Sequence, residues 1–227
     1  MKRSEINAII YRFEQAIQKQ GLLLPPFLSF TPEEWKEKGH EYDEIRDNKL
    51  GWDITDYGLG DFKQWGLSLI TLRNGNRNDV RYTKTYAEKL LFLLDGQHCP
   101  MHFHWLKMED IINRGTVDVC FRLYCASKDG KLLDREVKVS QDGRNYEVPA
   151  GEEIVLRPGE SLTLYPYYYH EFYPRPGSGD ALIGEISMCN DDDHDNCFKD
   201  PMGRFPQIEE DEAPYRLLCT EYPSAKG

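Results

Sequence analysis

The sequence predicts a mainly β domain, either a sandwich or a barrel, with helices packed outside it. Two observations favour this class. From about Leu50 onward, short apolar or alternating segments recur about every 8–12 residues with turn signals between them, as they do in β-sandwiches and barrels. Residues 1–49 instead show the apolar spacing of helices. The length of 227 residues suits one such domain with extensions.

Two helices are predicted before the strands begin. The first has one apolar face and a natural end at Gly21. The residues of that face are Ile6, Ile9, Ile10, Phe13 and Ile17. Pro25 and Pro26 then interrupt regular structure. In "TPEEW" a second helix begins, because Thr31 can cap it, a proline suits its first turn and Glu34 completes a capping box.

The strands follow in order along the chain. "GLSLITLR" predicts a strand that runs into a turn at Asn74 and Gly75, and "EKLLFLLDG" predicts a buried strand that ends at Gly96. In "VDVCFRLYCA" apolar and polar residues alternate, which indicates a half-buried strand. "EEIVLR", "SLTLYP" and "DALIGEISM" predict three more strands. We therefore expect a single domain over 1–227, with a helical extension at 1–49, a barrel at about 50–190 and a loop-like tail at about 191–227.

Composition bounds the partners and the compartment. The net charge of −11 makes nucleic acid and anionic membranes poor partners, because an acidic chain repels both. No apolar run approaches the roughly 18 residues of a membrane helix, and acidic residues interrupt any signal-like segment near the start. These features predict a cytoplasmic protein. The six cysteines form no CxxC pair, so free buried thiols are expected.

One short segment, "QHCPMHFHWLKMED", concentrates imidazole and carboxylate groups. On a strand, His102 and His104 would point to the same face, close enough to share one cation. A turn after His104 could return the carboxylate of Glu109 to that cation. Such a mixed nitrogen and oxygen set suits Mn, Fe, Co, Ni or Zn rather than Ca. Taken alone, an HxH pair is more often a chance or core pairing.

A second segment, "SLTLYPYYYHEFYP", supplies His170 at the end of a predicted strand. By itself this histidine would more often be a core residue. The order of glycine, HxH, glutamate and a distant histidine within a many-stranded pattern changes that interpretation. It predicts that His102, His104, Glu109 and His170 bind one metal ion.

This order resembles the two motifs of the cupin superfamily, which implies a jelly-roll β-barrel. Gly96, His102, His104 and Glu109 match the first motif with five and four intervening residues, and a glycine follows soon after. The second motif is matched by a proline and then His170, although its usual turn glycine is missing. Pro174 stands at the position that usually holds asparagine.

Longer stretches resemble the D-lyxose isomerase family of cupin-type sugar isomerases. They are "LGWDITDYGL", "HFHWLKMEDIINRG" and "NDDDHDN", and the similarity extends over nearly the whole chain. The resemblance implies a homodimeric, Mn²⁺-dependent aldose–ketose isomerase, with Co²⁺ among other possible ions. The implied substrates are D-lyxose and D-xylulose, and often also D-mannose and D-fructose.

The chemistry of that reaction assigns roles to further residues. A carboxylate can move a proton between two adjacent carbons while a divalent ion polarises the carbonyl. Glu185 is the candidate base, because a carboxylate in an apolar strand is costly without a function or an ion pair. The resemblance places Lys107 in the site, where it would steady an oxyanion or transfer a hydroxyl proton. It also makes Asp192 a catalytic candidate and makes Asp193 and His194 candidates for sugar hydroxyls.

Aromatic side chains are the remaining candidates, since sugar C–H faces stack on rings. Trp52 is the predicted substrate-binding aromatic residue, although core packing explains it equally well. Three alternative functions share most of these residues. They are a metal-dependent cupin oxidase or dioxygenase, a non-catalytic sugar-binding cupin, and a barrel whose histidines are core residues. A hydride shift would also use nearly the same groups as proton transfer through an enediol.

Overall fold

The computed structural model describes residues 1–192 and 194–227 and is mainly β, as predicted. Three α-helices precede the strands in the described residues: α1 (Arg3–Lys19), α2 (Pro32–Lys36) and α3 (Asp43–Asp47). Single 3₁₀ turns at Pro26–Ser29 and His40–Tyr42 separate them. The strands of the first half are β1 (Gly51–Thr55), β2 (Leu67–Arg73), β3 (Tyr86–Leu93), β4 (Cys99–His104), β5 (Glu109–Asn113), β6 (Val119–Ala126) and β7 (Leu132–Leu133). Those of the second half are β8 (Val137–Gln141), β9 (Arg144–Val148), β10 (Glu153–Leu156), β11 (Ser161–Leu164), β12 (Tyr168–Pro174), β13 (Ala181–Met188) and β14 (Asn196–Phe198).

The strands form two antiparallel sheets that face each other as a jelly-roll barrel. The larger sheet has eight strands in the order β1-β2-β3-β13-β5-β11-β8-β9. The smaller sheet has six, in the order β10-β6-β12-β4-β14 with β7 paired to β6. Because β4 and β5 are consecutive in sequence but belong to different sheets, the turn between them crosses the barrel. That turn brings side chains of both sheets into one interior.

The barrel interior is the first of two large cores. It is lined by alternate residues of both sheets, among them Leu67, Leu69 and Leu91 from the larger sheet and Phe121 and Phe172 from the smaller one. The opposite faces of β1, β2 and β3 form a second core with α1. Both faces of these strands are therefore buried over most of their length, which explains why consecutive apolar residues occur in β2 and β3.

Helix α1 covers the outside of the larger sheet as its apolar pattern predicts. The ring of Phe13 stacks on Phe92 with centroids 4.9 Å apart and meets Trp52 edge-on at 5.6 Å. The capping box of α2 is also confirmed. Thr31 Oγ1 accepts a hydrogen bond from the Glu34 backbone N–H at 3.1 Å, and Glu34 Oε2 accepts one from the Thr31 backbone N–H at 2.7 Å.

The predicted turn at Asn74 and Gly75 is wrong as a strand-to-strand turn. Strand β2 ends at Arg73 and the chain returns to β3 only at Tyr86, after an irregular connection. The side chain of Asn74 instead binds the backbone of Asn190 in both directions, at 2.9 and 3.1 Å. Gly75 is required by a close approach, because a Cβ there would lie 1.8 Å from the Lys84 carbonyl oxygen. The pair marks a packing contact between two loops.

The C-terminal tail contains more order than the sequence indicates. Strand β14 adds to the edge of β4, and the acidic stretch near 208–212 lies against α1. Arg3, only 2% exposed, forms ion pairs with Glu210 and Glu221. Ser4 donates hydrogen bonds to Asp211 from its backbone and its hydroxyl, at 2.9 and 2.7 Å. The acidic residues are thus partners of the N-terminal helix as well as solvated groups.

The six cysteines, all among the described residues, are free thiols, and five of them are buried. In the part of the chain that the structure describes, no helix has the length and apolarity needed to cross a bilayer.

Candidate metal centre and active site

Three histidines converge inside the barrel from neighbouring strands of the smaller sheet. His102 and His104 lie on β4 with Phe103 between them, so the two imidazoles point inward and the phenyl ring points outward. His170 lies on β12 directly opposite His102. All three are buried, and one nitrogen of each falls within 4.8 Å of the others. The period-two spacing of the strand therefore places these imidazoles around one point.

Glu109 completes this group from the opposite sheet. It is the first residue of β5, and its Oε1 lies 3.3 Å from His104 Nε2 and 3.4 Å from His170 Nε2. The turn that leads to it is held by Asp195, which is buried in the tail. The Asp195 carboxylate accepts hydrogen bonds from the backbone N–H groups of Leu106 and Lys107, at 2.7 and 2.9 Å.

The hydrogen bonds of the imidazoles fit a bound cation. The Nδ1 of His102 lies 2.7 Å from the Pro100 carbonyl oxygen, and that of His170 lies 3.0 Å from the Tyr168 carbonyl oxygen. If each Nδ1 carries the proton for that bond, each Nε2 presents its lone pair to the centre. Both ring nitrogens of His104 are buried, and neither makes a hydrogen bond of good geometry with a described residue. A cation at the centre would give Nε2, which lies 3.3 Å from Glu109 Oε1, a partner.

The charge states suit the same conclusion. Burial lowers the pKa of His170 to about 4 and lowers that of His102 well below its ordinary value, so both are neutral ligands near pH 7. Burial opposes ionisation of Glu109, but the Lys107 ammonium and the neighbouring imidazoles outweigh it and hold the pKa of this carboxyl low. Three imidazole nitrogens and one carboxylate oxygen form a donor set suited to a divalent transition metal.

A chain of opposite charges leads from this group to Glu185. Lys107 Nζ lies 2.6 Å from Glu109 Oε2 and 2.9 Å from Glu185 Oε1. Burial alone would lower the pKa of Lys107, but the two carboxylates outweigh it and raise that pKa, so the side chain is an ammonium. Glu185 Oε1 also accepts a hydrogen bond from Ser187 Oγ at 3.0 Å and lies 3.5 Å from Lys89 Nζ. Glu185 is therefore a buried carboxylate surrounded by donors.

These groups line one end of an interior cavity of about 560 Å³, counted with its mouth. Asp192 and Arg204 lie at its other end, where Arg204 Nη2 is 2.9 Å from Asp192 Oδ2 and 2.5 Å from Asp53 Oδ2. Burial would raise the pKa of Asp192, but the charges of Arg204 and the two buried lysines lower it, so this carboxylate is ionised. The cavity thus contains a candidate ion site, the buried carboxylate of Glu185 and further charged groups.

The structure brings together most of the predicted site residues. Lys107, Glu185 and Asp192 line the same cavity as the four candidate metal ligands. His194 lies in an adjoining polar cavity and is 3.0 Å from Asp191. Asp193 lies outside the described residues. Trp52 is not brought to the cavity, because it faces α1 and donates its indole N–H to the Leu28 carbonyl oxygen at 2.9 Å.

Three functional candidates were missed by sequence reasoning. Lys89 pairs with Glu185 across β3 and β13, and a lysine within the apolar "EKLLFLLDG" was an available signal for it. Arg204 and Asp195 lie in the irregular tail, where neither strand period nor a motif indicates that they reach the barrel interior.

Comparisons with known proteins agree with this fold and show the family. The family model for D-lyxose isomerase matches residues 1–222. The D-lyxose/D-mannose isomerases of Escherichia coli O157:H7 and Serratia proteamaculans are each 44% identical over 223 residues, covering 98% of this chain and 98% of theirs. Among solved structures, L-ribose isomerase of Cellulomonas parahominis has a TM-score of 0.57 at 14% identity, covering 92% of this chain and 98% of that one. A point mutant of the L-ribose isomerase of Acinetobacter sp. DL28, in complex with L-ribose, has a TM-score of 0.58 at 13% identity, covering 91% of this chain and 98% of that one.

The jelly-roll barrel with its N-terminal helices defines a cupin-type protein, and the structural neighbours share that fold. The matches over nearly the whole chain are more specific. The chain belongs to the D-lyxose isomerase family and is an aldose–ketose isomerase.

Proposed function

We propose that the protein is a divalent-metal-dependent enzyme that interconverts D-lyxose and D-xylulose, and also D-mannose and D-fructose. The observation that carries this proposal is the position of Glu185. It is a buried carboxylate linked through Lys107 to the candidate metal ligand Glu109, with contacts of 2.9 and 2.6 Å. The relatives named for D-lyxose and D-mannose support the choice of sugars.

The metal would be held by His102, His104, Glu109 and His170, and we propose Mn²⁺, with Co²⁺ as an alternative. When bound, such an ion supplies positive charge that polarises the substrate carbonyl and stabilises negative charge in the transition state. The unpartnered His104 nitrogens support this assignment.

The residues of the chain would carry the proton transfers. Glu185, in contact with Lys107 and Lys89, would remove the proton from C2 of the aldose and return it to C1 of the enediolate. Lys107 would donate a hydrogen bond to the substrate oxygen that becomes negatively charged, and would transfer to O1 the hydroxyl proton that O2 loses. Asp192 and Arg204 would bind the hydroxyls of the carbon chain. Asp193 and His194 are further candidates for that role.

We also propose a compartment, an oligomeric state and a class of partner. The enzyme would be a cytoplasmic homodimer that binds a monosaccharide and neither nucleic acid nor membrane. The acidic composition supports the exclusion of anionic partners. We also propose that 1–227 form one domain, with a helical extension at 1–49, a barrel at about 50–190 and a tail at about 191–227.

Anaerobic incubation of the metal-loaded protein with D-lyxose in D₂O tests this function. We expect D-xylulose at an unchanged rate without O₂, with solvent deuterium at C1, because a carboxylate base exchanges its proton with solvent. Ketose without deuterium would contradict the proton-transfer mechanism. Consumption of O₂, or thermal stabilisation by the sugar with no ketose formed, would indicate one of the alternative cupin functions.

A further inference from the structure

We propose that a second, polar cavity beside the metal centre binds the distal hydroxyl groups of the open-chain sugar, and that Thr71 there favours six-carbon over five-carbon substrates. This cavity has a volume of about 800 Å³ with its mouth and shares Asp192 and Arg204 with the inner cavity. The inference rests on the proposed function, because it assumes that the reacting end of the sugar lies at the candidate metal centre.

The inner cavity cannot satisfy the whole length of a sugar. Beyond the charged cluster its walls are largely apolar and aromatic, with leucine and phenylalanine side chains such as Leu67, Leu69, Leu91, Phe172 and Phe198, and Asn196 is the one uncharged amide side chain among the described residues that lines it. A sugar hydroxyl desolvated against such walls without a hydrogen-bond partner loses free energy. The hydroxyls farthest from the metal centre therefore need partners elsewhere.

Strand β2 connects the two cavities and changes character along its length. Leu67 and Leu69 face the inner cavity, and Thr71, next on the same face, lines the outer one. Two residues along a strand span about 7 Å, which is of the order of an extended pentose or hexose chain. A sugar anchored beside Glu185 would then pass Asp192 and Arg204 and place its last carbons near Thr71.

The hydroxyl of Thr71 is available for a ligand. Thr71 is 6% exposed, and its Oγ1 makes no hydrogen bond with any residue that the structure describes. Other polar groups of this cavity are engaged with one another, as Asn74 is with Asn190 and Asp53 is with Arg204. Thr71 therefore presents a free donor and acceptor in a buried polar wall.

The test compares D-mannose with D-lyxose, which share the configuration of C2 to C4 while mannose is longer by one hydroxyl-bearing carbon. In Thr71→Val, we expect kcat/KM for D-mannose to fall about fivefold relative to kcat/KM for D-lyxose, because one neutral hydrogen bond is lost. The matched control is Ser68→Ala on the same strand. Ser68 is 2% exposed, faces the other side of the sheet and also has no hydrogen-bond partner in the described residues, so its removal should leave that ratio unchanged.

A binding measurement separates this inference from the proposed function. Calorimetry with the unreactive alditols mannitol and arabinitol should show that Thr71→Val weakens binding of the six-carbon alditol more than that of the five-carbon one. If ketose forms but the mannose/lyxose ratio is the same in Thr71→Val and wild type, the distal subsite is wrong and the isomerase stands. If no ketose forms but the alditol preference changes as expected, the subsite stands and the proposed reaction is wrong. An unchanged alditol preference overturns the subsite in either case.

Discussion

At the scale of single residues, the central feature is a buried carboxylate, that of Glu185, which lies beside two lysines. Glu185 contacts the ammonium groups of Lys107 and Lys89 and the hydroxyl of Ser187. An unpaired buried carboxylate would be protonated to avoid the cost of desolvation. The two lysines offset that cost with opposite charge, and we propose that Glu185 is the group that accepts a proton from carbon.

We expect Glu185→Gln to keep the metal and lose activity. The amide retains the shape and can still accept hydrogen bonds, but it cannot take a proton, so kcat should fall about 100-fold or more. Steady-state kinetics with D-lyxose and metal analysis of the purified variant make the measurement. Glu88→Gln is the matched control, because Glu88 lies one strand away on the outer face and pairs with Arg73. Turnover of Glu185→Gln near that of this control would remove Glu185 as the base.

The same scale shows why some site residues could be predicted and others could not. The shared direction of His102 and His104 could be predicted from the two-residue period of a strand. The position of Glu109 near them could be predicted from a short turn between β4 and β5. His170 required a motif, because pairing across two distant strands has no local signal. Arg204 could not be predicted from any pattern, since its position depends on ion pairs with Asp53 and Asp192 that the irregular tail makes on folding.

At the scale of elements, the C-terminal tail is fixed at both ends of its path. Its first part supplies Asp195, β14 and Arg204 to the barrel interior. Its last part is held on α1, where Arg3 Nε and Nη2 donate to Glu210 at 2.8 and 2.7 Å. The N-terminal helix thus helps to fix the segment that closes the cavity, although it contributes no side chain to it.

We expect Arg3→Ala to destabilise the protein by about 2 kcal/mol, because buried charge-assisted hydrogen bonds are lost. The measurement is the free energy of unfolding from denaturant titration. Arg12→Ala is the control, because the Arg12 side chain is 57% exposed in its pair with Asp180 and should contribute less than about 1 kcal/mol. Equal effects of the two changes would mean that the Arg3 contacts between α1 and the tail add no more to the free energy of unfolding than an exposed ion pair does.

The elements themselves were predictable to the extent that their signals are local. The apolar face of α1 and the capping box of α2 depend on residues within a few positions of one another, and both formed as expected. The pair Asn74 and Gly75 looked like a hairpin turn because the same residues serve in close loop packing. Strand β14 was missed because three residues carry no period and pair only where β4 leaves a free edge.

At the scale of the whole molecule, the barrel brings polar groups from both sheets into a largely apolar interior. The histidines come from the smaller sheet, while Glu109, Glu185 and Lys89 come from the larger one. Apolar packing around them lowers the local dielectric constant and strengthens their mutual electrostatic interactions. The predicted jelly roll with external helices is confirmed, whereas the charge network inside it depends on the register between β3, β13 and β5, which the sequence does not encode locally.

The proposed function depends most on one cation shared by four side chains of the barrel. Removing and replacing that cation tests the proposed function directly. The protein is stripped with EDTA and assayed with D-lyxose and D-mannose before and after Mn²⁺ is added, alongside His104→Ala and the control His98→Gln, a half-buried ring outside the cavity. We predict no turnover without metal, recovery with about one ion per chain in wild type and control, and neither bound metal nor turnover in a folded His104→Ala. Full activity of the stripped protein, or of His104→Ala, would contradict the account.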